Sequence, residues 1–104
     1  MKKAKVLRNE RVTLEQGRFI IEIKVYEVEV SLKFPIGLKL KCVLIDMEQE
    51  KPRVLVDNHE PFGFHFHSRL PDDPDFRISL EIKEYEEAIK FFMNEVRKVV
   101  SNER

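Results

Sequence analysis

The segment Phe76-Arg77-Ile78-Ser79-Leu80-Glu81-Ile82-Lys83-Glu84-Tyr85-Glu86-Glu87-Ala88-Ile89-Lys90-Phe91-Phe92 changes its apolar period partway along. Up to Ile82 the apolar residues Phe76, Ile78, Leu80 and Ile82 alternate with polar ones, as in a strand with one buried face. Beyond Lys83 the apolar residues Tyr85, Ala88, Ile89, Phe92, Val96, Val99 and Val100 fall on one stripe at helical spacing. Glu84, Glu86 and Glu87 load the first turn, and Arg97 and Lys98 the last, in the sense the helix macrodipole favours. A helix over 84–101 with such a stripe needs an apolar partner surface, which a half-buried sheet provides.

Strand patterns fill the chain upstream of that helix. Phe19, Ile21, Ile23 and Val25 alternate with polar residues, and the apolar set then moves to even positions at Val28, Val30, Leu32 and Phe34. A strand cannot change parity without a bulge or a break, which places one at Tyr26 and Glu27. Pro35, Ile36 and Gly37 then turn the chain into 38–46, where Leu38, Leu40, Cys42 and Leu44 share a face, so the sequence predicts a hairpin of 28–34 with 38–46. Residues 53–57 and 64–67 read as shorter strands joined by a loop containing Pro61 and Gly63. Short connections between consecutive strands imply antiparallel pairing. The expected fold is a single α+β domain over 1–104, with an antiparallel sheet of five or six strands packed against one C-terminal α-helix. A basic arm over about 1–11 precedes it.

Composition narrows the function classes. The 104 residues hold 19 Lys+Arg and 19 Asp+Glu, so no global basic field marks a dedicated nucleic-acid binder. The basic arm of Lys2, Lys3, Lys5, Arg8 and Arg11 is the local alternative, with a frayed terminus as its plainer interpretation. The single cysteine, Cys42, lies inside an alternating apolar run, which fits a buried thiol in a reducing compartment. No apolar run approaches the length of a membrane span or a signal sequence, so a soluble, cytoplasmic protein is expected. Glycine-rich phosphate loops, Cys-x-x-Cys and Gly-x-Ser-x-Gly are missing from the sequence.

All three histidines fall in the stretch Asp57-Asn58-His59-Glu60-Pro61-Phe62-Gly63-Phe64-His65-Phe66-His67-Ser68-Arg69. If 64–67 is extended, Phe64 and Phe66 anchor one face while His65 and His67 share the other. Three interpretations stay open. The histidines can be plain polar residues on an exposed face. They can be a general acid and base for RNA cleavage through an internal 2′-hydroxyl, with Arg69, or Arg77 on the next strand, stabilising the phosphorane charge. Or they can be two metal ligands, with His59 or Asp57 as a third. Asp57 and Asn58 are candidates for substrate contact, but also common turn residues. Asp72, Asp73 and Asp75, next to two prolines, read as a solvated loop.

The Asp57-Asn58-His59 strand end, the Pro61 and Gly63 turn, the His65-Phe66-His67 strand and the final apolar helix resemble the TumE-type toxin family of toxin-antitoxin systems. The resemblance implies a small growth-inhibiting toxin acting on RNA and neutralised by an antitoxin from an adjacent gene. Combined with the chemistry of imidazole, it makes the expected protein a metal-independent endoribonuclease. His65, His67, Arg69 and His59 would be catalytic, Asp57, Asn58 and Arg77 would bind substrate, and no metal or cofactor would be required. A non-catalytic interaction module and a metal-binding domain built on His65-Phe66-His67 are the alternatives, and a homodimer is left open.

Overall fold

The computed structural model describes residues 5–32, 34–58, 63–82 and 84–102. Among these residues six strands, β1 (Lys5–Leu14), β2 (Phe19–Glu27), β3 (Leu38–Asp46), β4 (Lys51–Asp57), β5 (His65–His67) and β6 (Ile78–Ser79), form one sheet in sequence order. Every neighbouring pair is antiparallel. The chain ends in the helix α1 (Tyr85–Asn102), which packs on β3 and β4. The α+β architecture expected from the sequence is therefore the one found.

Register explains which residues form the core. Ile23 stands opposite Cys42, Cys42 opposite Val56, and Val56 opposite Phe66, so one row of side chains crosses four strands on the helix side. Ile21, Leu44 and Val54 make a second row. Ala88, Ile89, Phe92, Val96 and Val100 of α1 are buried with these rows, and Phe66 meets Phe91 edge-on with ring centroids 5.1 Å apart. Each large apolar side chain buried this way stabilises the fold by about 1.5–3 kcal/mol. The sequence expectation for Cys42 holds, since it is fully buried in the first row.

Five local expectations are modified by the structure. The N-terminal residues from Lys5 onward form no arm, because β1 pairs along the whole of β2 and carries a bulge between Val6 and Arg8. The parity change at Tyr26 and Glu27 marks the end of a strand: β2 stops at Glu27 and pairs directly with β3, from Phe19 opposite Asp46 to Glu27 opposite Leu38. Among the described residues between β2 and β3 there is no strand, and the connection is closed by Val28 N–H donating to the Gly37 carbonyl at 2.8 Å. Gly37 adopts φ +71, and a β-carbon there would approach the Val28 carbonyl oxygen at 3.2 Å, so any other residue would be strained. Val30 and Leu32 are exposed because they have no sheet to face.

The expected strand over 76–82 shrinks to Ile78–Ser79, with Ile78 exposed, although Leu80 and Ile82 still pack against the core from irregular backbone. In α1, Glu86 and Glu87 do occupy the first turn. Arg97 and Lys98, however, fall short of the last turn and bond Asn94 and Glu95 instead. Among the described residues no helix is long and apolar enough to cross a membrane.

Candidate functional site

The sheet face turned away from α1 carries a second set of rows. Asp57 stands opposite His65 across the β4–β5 pair, and His67, two residues on, shares that face. Phe66 points to the helix side against Phe91, so the alternation expected from the sequence separates the rings correctly. The expected exposure does not follow. His65 is 0% and His67 5% exposed, so neither imidazole lies on an open surface. The cause is backbone from the two flanking connections. His65 Nδ1 lies 2.7 Å from the Gly63 carbonyl oxygen, and His67 Nδ1 lies 2.9 Å from that of Pro74.

Those two contacts fix the tautomers. A carbonyl oxygen can only accept, so both Nδ1 atoms must carry the proton and donate it. Both Nε2 atoms are thereby turned inward, and both face the same carboxylate. His65 Nε2 contacts Asp57 Oδ1, and His67 Nε2 lies 4.0 Å from Asp57 Oδ2. The imidazole rings are tilted at 58° with centroids 5.0 Å apart. One ligand atom from each of Asp57, His65 and His67 lies within 4.8 Å of the other two. Two Nδ1–H imidazoles around a carboxylate bring three electron-pair donors together, an arrangement that needs a cation among them, either a proton or a metal ion.

The other candidates are placed differently. Arg69 is exposed and its guanidinium carbon sits 3.9 Å from the Phe76 ring centroid, so it is outside the histidine cluster. Arg77 donates from Nη1 to the Asp75 carbonyl at 3.3 Å. Asn58, expected as a turn or substrate residue, is buried and committed to β3: its Oδ1 accepts from Leu40 N–H at 2.8 Å and its Nδ2 donates to the Leu38 carbonyl at 2.9 Å. It extends the β3–β4 ladder by one side-chain rung, so both ends of its amide are engaged with β3. His59 lies outside the described residues. Asp72, Asp73 and Asp75 are exposed, as a solvated loop requires.

Sequence reasoning did not single out Asp46, a fully buried carboxylate. Its oxygens accept from the backbone N–H of Glu48 and Gln49 and face Arg53 at 3.3 Å and Arg18 at 3.8 Å, which ties down the β3–β4 turn. Its place at the end of an alternating run, just before a turn, is the only signal the sequence offers for it. The Asp57–His65 pairing was legible only once the register across the β4–β5 loop was known. No family model, curated protein or solved structure matches the chain.

Proposed function

We propose that the domain binds a divalent transition metal, zinc in the first instance, through Asp57, His65 and His67. The observation that carries this reading is the orientation of the two imidazoles. Backbone carbonyls hold both Nδ1–H groups, so both Nε2 lone pairs converge on one carboxylate. Metal-ligating histidines are commonly oriented by such a hydrogen bond on the other ring nitrogen. Two nitrogens and one carboxylate oxygen suit Zn²⁺, and three protein ligands leave a fourth position for water or a substrate.

The dimensions support the fit with a small adjustment. Bonds of about 2.0–2.1 Å to a tetrahedral ion place its ligands roughly 3.4 Å apart. The present atoms span up to 4.8 Å, while His65 and Asp57 are closer than that spacing. A metal would separate those two and draw His67 inward by roughly 1 Å, a shift within reach of side-chain rotation.

Burial favours this reading over a metal-independent acid and base pair. RNA cleavage by free histidines, the activity suggested by the resemblance to TumE-type toxins, needs imidazoles that a 2′-hydroxyl can reach. His65 and His67 are instead enclosed, with each Nδ1 occupied by backbone.

The test is zinc titration of the chelator-stripped protein against a chromophoric competitor, with Co²⁺ as a spectroscopic substitute. One equivalent is expected, with tetrahedral Co²⁺ absorption, and Asp57→Asn and His67→Ala should each abolish stoichiometric uptake. Absence of uptake, or uptake unchanged in both variants, overturns the proposal and makes the cluster a proton-bridged structural network.

A further inference from the structure

We infer that the ligand completing this metal centre is a phosphoryl group, held between the metal and Lys41. The inference rests on the metal reading and adds a ligand class to the same site. One row of residues crosses the sheet on the face away from α1: Lys24 stands opposite Lys41, Lys41 opposite Asp57, and Asp57 opposite His65. Cross-strand neighbours have Cα atoms about 4.5–5.5 Å apart, so the Lys41 ammonium reaches the space beside the Asp57 carboxylate.

The direction of approach follows from burial. The histidines are closed off on the β5 side by the Gly63 and Pro74 carbonyls, whereas the Asp57 side chain keeps 17% exposure. An incoming ligand therefore meets the centre from the β3 side. There it finds Lys41, which is exposed and has no ion-pair partner among the described residues. Lys24, the next residue in the row, is already neutralised by Glu22 at 3.5 Å.

Charge selects the ligand. A divalent ion and Lys41, offset by Asp57, leave two positive charges at the open position, which matches a dianionic phosphoryl group better than a monoanionic carboxylate. Beside Lys41 on the same face lies a groove of about 350 Å³ lined by Val43, Ile45 and Pro52 together with Lys24, Glu22 and Glu50. Those apolar side chains suit the organic substituent of a phosphate monoester. Phenyl phosphate should therefore bind more tightly than inorganic phosphate.

The experiment has two stages that separate this inference from the one beneath it. Zinc stoichiometry is measured first, then inorganic phosphate, phenyl phosphate and benzoate are titrated calorimetrically into the zinc-loaded protein. Phenyl phosphate is expected to bind tightest and benzoate weakest, and Lys41→Met should weaken both phosphates about tenfold while leaving zinc uptake intact. Lys90→Met, an exposed lysine on α1, is the control and should change nothing. A zinc-loaded protein that ignores phosphate, prefers benzoate, or binds phosphate equally well in Lys41→Met overturns the phosphoryl assignment alone. Failure to load zinc overturns both.

Discussion

Replacing His65 by alanine should destabilise the metal-free protein substantially, and more than the same change at His67. His65 is fully buried, donates from Nδ1 to the Gly63 carbonyl and meets Asp57 through Nε2. In the metal-free protein the cation between His65 Nε2 and Asp57 is a proton, and losing that charged contact costs about 1.5 kcal/mol, the lower end of the range for bonds to charged groups, because Asp57 keeps some exposure and can be rehydrated. The neutral bond to Gly63 adds about 1 kcal/mol. A total of about 2.5 kcal/mol corresponds to a fall in Tm of roughly 10–20 °C for a domain of this size. His67 loses one comparable backbone bond, and its Nε2 is 4.0 Å from Asp57, too far for a hydrogen bond, so His67→Ala should cost only about 1–2 kcal/mol. Urea and thermal unfolding in the presence of a chelator measure both. His65→Asn, which can retain the donor near Nδ1, should recover part of the loss, and so should His65→Gln, which can retain the donor near Nε2. If His65→Ala unfolds within 0.5 kcal/mol of the wild type, or His67→Ala is the worse of the two, the two contacts assigned to His65 do not carry the energy argued here.

Asn58→Ala should cost about 2 kcal/mol by leaving the Leu40 N–H and Leu38 carbonyl without their side-chain partner, and Asn58→Asp should not rescue it because a carboxylate cannot donate to Leu38. Urea midpoints of the three proteins decide this. Burial pushes the Cys42 thiol up to about 12, with Arg8 opposing the shift. The unfolded chain therefore loses that proton first as pH rises, binds fewer protons than the folded one between about 9 and 12, and stability falls across that window. Cys42→Ala lacks this contribution, so its stability deficit relative to wild type should shrink between pH 8 and pH 10.5, and a constant deficit would count against the buried neutral thiol.

The limits of the sequence reading follow from what periodicity can encode. Alternation identified β2, β3 and the stripe of α1 because those segments bury one face against a common core, and burial imposes the pattern. It misplaced 28–34, where Val28, Val30 and Leu32 alternate by composition with no sheet to face, and it passed over β1, which is mostly exposed because α1 packs on β3 and β4. The same limit applied at the site. Alternation put His65 and His67 on the face opposite Phe66, but alternation states which residues share a face and is silent about what covers that face. The cover is local backbone, Gly63 from the β4–β5 loop and Pro74 from the β5–β6 connection, and such contacts leave no periodic trace in the chain. Those carbonyls nevertheless decide the chemistry. On an exposed face either imidazole nitrogen could have carried its proton, and a mobile acid and base pair would have been reasonable. With both Nδ1–H groups held, the remaining nitrogens both turn to the Asp57 carboxylate. The step from two spaced histidines to a convergent donor set was therefore made by the two loops.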